Sequence, residues 1–111
     1  MGPNERSALN SPANRLVLEV CLLEKANIRN TLAGIPVAEA ILAHTGTQVE
    51  INTERATQFE LECIAMGEMA AILDAAQIGL NYRVQGFLNR KSLKSLKIRL
   101  HLTHMTPIAV D

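Results

Sequence analysis

The chain has 111 residues, 48% of them hydrophobic and only three aromatic, and its 11 Lys and Arg balance 11 Asp and Glu. A chain of this length buries roughly 60–70% of the surface its unfolded form exposes, enough for one core, which excludes a second catalytic domain. Its longest uncharged run, residues 100–110, falls short of the ~20 residues a membrane-spanning helix needs, and the polar start lacks a secretory apolar segment, so a cytoplasmic protein with no membrane contact is expected.

Residues 1–13 contain Gly2, Pro3, Asn4, Ser7, Asn10, Ser11 and Pro12 and read as an unstructured leader. In residues 14–24, Leu16, Leu18, Val20 and Leu22 alternate as a strand requires. The opposite face adds Val17, Cys21 and Leu23. Such a strand is covered on both sides or pairs with a second copy, which predicts a homodimer held by these three residues. Gly34 and Pro36 mark a turn, and residues 37–44 form a second strand, favoured over a helix by length and the preceding proline. The polar segment 45–57 reads as a mobile loop or an extended hairpin arm. A third strand follows, with Phe59, Leu61, Cys63 and Ala65 facing the core and Gln58, Glu60, Glu62 and Ile64 facing solvent.

Between Gly67 and Gly79 the period changes. Met69, Ile72, Leu73 and Ala76 form a helical stripe, with Gly79 as the C-terminal cap. Tyr82, Val84 and Leu88 then face the core of a fourth strand bent at Gly86, and residues 97–103 form a fifth. Residues 109–111 are a short tail. Three strands, one helix and two strands, within residues 14–108, give an all-β domain with one short helix. This order predicts the five-stranded Greek-key barrel of the OB-fold.

Catalytic patterns are missing. No serine sits in a nucleophile elbow, no phosphate-binding glycine loop occurs, and no cofactor is implied. His101 and His104, three apart on a strand, face opposite ways and cannot share a metal. Cys21 and Cys63 read as small apolar residues rather than a disulfide.

Charge, in contrast, is unevenly distributed. Residues 1–74 carry five bases against ten acids, a net of −5, while residues 75–111 carry six bases against one acid, a net of +5. The basic element is residues 90–99, RKSLKSLKIR, containing Arg90, Lys91, Lys94, Lys97 and Arg99 and joining the last two strands. On an OB barrel, that loop is one of two that grip oligonucleotides, and its ammonium groups can follow a phosphate backbone. Aromatic stacking is the weaker component: Phe59 and Tyr82 face the core, leaving Phe87, on the same face as Arg83, as the available platform.

The segments NRLVLEVCLLEK, RNTLAGIPV, VQGFLNRK and LHLTHMTPI, in this order, resemble the primosomal replication protein N (PriB) family, replication-restart relatives of bacterial single-stranded DNA-binding protein. The resemblance spans residues 14–108. It implies a homodimeric, non-catalytic OB-fold that binds single-stranded DNA and works with the PriA helicase and DnaT. Arg29, just before the A-G-I-P turn, falls on a basic DNA-contacting position of that family. Gln58, Thr53 and Thr45 stand where enterobacterial members carry a tryptophan, another aromatic and an arginine. If Arg29 and the four loop cations Arg90, Lys91, Lys94 and Lys97 all meet phosphates, log K against log salt should have a slope of roughly −3 to −4. A protein-docking adaptor is the rival reading; an RNA-binding cold-shock domain is disfavoured by the missing aromatic stretches.

Overall fold

A computed structural model describes residues 9–109. The first eight leader residues and residues 110–111 of the tail lie outside the described part. The elements run β1 (Leu16–Lys25), β2 (Arg29–Asn30), β3 (Pro36–Glu50), β4 (Thr53–Met66), α1 (Glu68–Ala75), β5 (Asn81–Arg90) and β6 (Ile98–Pro107). The sheet order is β1-β5-β6-β4-β3, closed by β1 pairing with β3, with the two-residue β2 on β3. Every pairing is antiparallel except β4 with β6, at Cys63↔Leu100 and Ile64↔His101. This is the expected OB barrel.

Alternation fills its interior. Val20, Leu22, Ala40, Leu42, Cys63, Ala65, Tyr82, Val84, Leu100 and Leu102 are buried, and Ala70 and Leu73 of α1 pack against them. Burial pushes the Cys63 thiol up to about 12, so this cysteine stays protonated at neutral pH. Tyr82 keeps its hydroxyl satisfied by accepting from the Gln77 N–H at 2.8 Å. Asn14 extends the β1–β5 ladder with its side chain: Nδ2 donates to the Leu88 carbonyl at 2.8 Å and Oδ1 accepts from the Leu88 N–H at 3.0 Å.

The segment 45–57 resolves into the hairpin arm. β3 and β4 pair continuously from Val37↔Met66 to Glu50↔Thr53 and turn through Ile51 and Asn52, at φ +50° and +56°. Two consecutive positive φ values make a two-residue primed turn, which matches the strand twist. Phe59 departs from the expectation of a core residue: it is 42% exposed and rests on His44, with ring centroids 5.1 Å apart. It points inward in parity, but β4 is already leaving the barrel for the arm. Ile64 departs the other way. Flanked by Glu39 on β3 and His101 on β6, it is buried on what alternation marks as a solvated face.

The helix is shorter than its apolar stripe suggests. It ends at Ala75, with Ala76 already extended, and Ile72 is exposed while Ala70 and Leu73 are buried. Its C-terminal carbonyls are capped from β1: the Lys25 ammonium donates to the Asp74 and Ala76 oxygens, both at 2.7 Å. Gly79 does not cap it. At φ +90° it turns the chain into β5 and donates its N–H to the Leu22 carbonyl at 2.8 Å. The bend at Gly86 is a bulge, the β5–β6 register shifting between Gln85 and Gly86.

Candidate nucleic-acid interface

Strands β5 and β6 extend past the barrel to Arg90 and Ile98, leaving residues 91–97 as the connecting loop. Its shape is held mainly by backbone bonds. The Lys91 N–H donates to the Lys97 carbonyl at 2.9 Å, the Ser95 N–H to the Ser92 carbonyl at 3.2 Å, and the Lys97 N–H to Ser95 Oγ at 3.0 Å. Leu93, Lys94, Leu96 and Lys97 are left exposed. Arg90 Nη1 donates to the Leu93 carbonyl at 3.4 Å. Among the described residues, Arg90, Lys94 and Lys97 form no ion pair.

The other three expected cations are paired. Lys91 Nζ lies 3.2 Å from Glu62 Oε1. Glu39 divides its carboxylate between two guanidiniums, with Oε2 3.1 Å from Arg99 Nη1 and Oε1 3.4 Å from Arg29 Nη2. The Arg99 side chain is only 16% exposed, whereas that of Arg29 is 56% exposed. Glu39, Glu62, Lys91 and Arg99, with Glu24 and Lys25, line a cleft of about 340 Å³ whose three acids and three bases cancel. Sequence alone does not reveal the pairing, because Glu39 and Glu62 meet these cations only through the register of β3, β4 and β6.

Register also brings Phe87 onto this face. Phe87 pairs with His101, His101 with Ile64, and Ile64 with Glu39, giving one row across β5, β6, β4 and β3. The Phe87 and His101 rings stack with centroids 4.8 Å apart and planes 12° apart, and Phe87 remains 39% exposed. Desolvation, then the Arg99 charge, hold the His101 imidazolium pKa below the ordinary histidine value. Thr45 and Gln58 face one another at the base of the arm, and Thr53 lies at its turn.

A second surface is the outer side of β1. Val17 is 46% exposed, and Cys21 and Leu23 are half-buried. The row is less apolar than its sequence, because Glu19 lies between Val17 and Cys21 and pairs with Arg83 at 3.2 Å. Leu23 occupies a bulge between Leu22 and Glu24. β1 bonds β5 over Leu16 to Cys21 but β3 only from Cys21 onward, so the edge of its first half is open. There the Glu19 carbonyl accepts from His44 Nδ1 at 2.8 Å.

Residues 14–104 match a family described as another single-strand binding protein family. The chain is 34% identical over 96 residues to the replication restart protein PriB of Bordetella pertussis, covering 86% of this chain and 90% of that protein. It superimposes on the PriB structure from Ralstonia solanacearum with a TM-score of 0.76 at 31% identity, over 85% of this chain and 96% of that one. The single-stranded DNA-binding protein of Thermus aquaticus shares the fold, with a TM-score of 0.69 at 21% identity over 86% of this chain and 50% of that one.

Proposed function

The chain belongs to this single-strand binding protein family, alongside the PriB replication restart proteins, and from that premise we propose that it is a non-catalytic, cytoplasmic single-stranded DNA-binding protein of replication restart. Residues 14–108 act as the binding domain. The observation that carries the reading is the 91–97 loop with Arg90 at its β5 end, an exposed basic element in which Arg90, Lys94 and Lys97 have no carboxylate partner among the described residues. Three such cations neutralise about three phosphates, giving a salt slope of roughly −2 at ~0.7 per phosphate on single strands. Phe87 offers one partly exposed ring for stacking. Two copies associate through the open β1 edge and Val17, Cys21 and Leu23, and the dimer works with PriA and DnaT.

The adaptor reading keeps one specific support. Glu60 and Glu62 share the outer face of β4 with Gln58, which favours protein docking over a polyanion there. Fluorescence anisotropy with DNA and RNA oligomers of equal length, from 50 to 200 mM salt, separates the readings. DNA affinity that falls with salt supports the binding role; no binding at 50 mM overturns it in favour of the adaptor.

A further inference from the structure

The six cations expected to bind DNA fall into two electrostatic classes. Arg90 at the end of β5 and Lys94 and Lys97 in the loop pair with no carboxylate among the described residues, while Arg29, Arg99 and Lys91 are held against the barrel by Glu39 and Glu62. Resting on the single-stranded DNA reading, we propose that Glu39 and Glu62 are specificity-determining residues that deny phosphate access to Arg29, Arg99 and Lys91 and confine the strand to the 91–97 loop.

The geometry makes these carboxylates effective competitors. Glu39 places one oxygen on each of two guanidiniums, so a phosphate reaching either arginine must displace a tethered anion and then remain beside it. Arg99 offers little alternative approach, being largely covered. Salt linkage reaches the same conclusion. A phosphate neutralised by a free lysine releases a condensed counterion. A phosphate that displaces Glu39 also releases one, but the displaced carboxylate recruits a cation from solution, so the net release is close to zero. Glu60 adds charge to this face but forms no ion pair among the described residues, which makes it the control for charge alone.

The test titrates labelled oligothymidylate with the wild-type chain, the double variant Glu39→Gln, Glu62→Gln, and Glu60→Gln, from 50 to 200 mM salt. Glutamine preserves shape and an accepting oxygen while removing the charge. The double variant should bind at least tenfold tighter at 50 mM, with a slope steeper by about 1.4, two further phosphates at ~0.7 each on Arg29 and Lys91, because Arg99 stays largely covered. Glu60→Gln should leave the slope within roughly 0.3 of wild type, since it frees no cation. Lys91→Ala should not change the wild-type slope but should flatten that of the double variant by about 0.7. Should the double variant fail to fold, Glu62→Gln alone should steepen the slope by about 0.7, because its partner Lys91 is on the surface. Equal slopes and affinities in wild type and a folded variant, both binding, overturn the inference and leave the DNA reading intact. Loss of binding in every protein overturns the DNA reading itself, and the inference with it.

Discussion

Replacing Lys94 and Lys97 together with alanine tests the loop directly. Three unpaired cations set the wild-type slope near −2.1, and removing two leaves about −0.7. Between 50 and 200 mM salt, the wild-type affinity should therefore fall about 18-fold, and that of the variant about 2.6-fold. The change should weaken every sequence alike, because phosphate contacts carry no base information. The fold should survive. The loop is closed by the Lys91 N–H to Lys97 carbonyl bond and the Lys97 N–H to Ser95 Oγ bond, neither of which uses a lysine side chain, and exposed substitutions usually alter stability by no more than about 0.5 kcal/mol. Anisotropy gives the slope and circular dichroism the fold. A folded variant with the wild-type slope and affinity would refute the assignment of phosphate contact to this loop and favour the adaptor.

Three further outcomes are expected. In Gly86→Ala the added Cβ would run into the His101 backbone carbonyl; overpacking of about 1–3 kcal/mol should lower Tm by roughly 5–20 °C. Gly46→Ala, whose nearest contact is the side-chain His44 Nε2 at 3.0 Å rather than a backbone carbonyl, should cost less, and equal melting of the two variants contradicts this. Val17→Glu should dissociate the proposed dimer in sedimentation at micromolar concentration without unfolding the chain, whereas a monomeric wild type removes the β1 interface. His101 titrates below its ordinary value, so the unfolded chain takes up the proton first as pH falls below ~6.5. Its contribution to stability is complete above that pH and declines as pH falls toward the folded value. His101→Gln should therefore reduce the loss of urea stability between pH 7 and 5, and an unchanged loss opposes the reading.

The barrel was legible because β1, β4 and β5 repeat apolar residues with a period of two, residues 37–44 are marked as a strand by their length and the proline before them, and Gly34, Pro36 and Gly79 separate the elements. Leu16 to Leu22 and Tyr82 to Leu88 need no further information to be recognised. The arm was harder, because hydrophobic period reports burial and residues 45–57 have solvent on both faces. Its strands are set by pairing along β3 and β4 and by the primed turn at Ile51 and Asn52, neither of which leaves an alternating pattern. Phe59 shows the related limit that alternation assigns a side chain to a face without saying how far the barrel extends along it. Ile64 shows the converse, a position on the outer face that neighbouring strands cover.

The site divides on the same physical line. A cluster of bases at residues 90–99 is a local property, so the basic loop could be read directly from the chain. Whether each base is free is a non-local property. Glu39 meets Arg99 and Glu62 meets Lys91 only once β3, β4, β6 and the end of β5 are side by side. Counting bases along the chain therefore sets an upper bound on phosphate contacts. The carboxylates that the fold carries to those bases reduce it, from the five cations that imply a slope of −3 to −4 to the three that imply about −2. The measured slope thus reports how many cations the folded barrel leaves free, which is why the Glu39 and Glu62 variants and the Lys94 and Lys97 variants should move it in opposite directions.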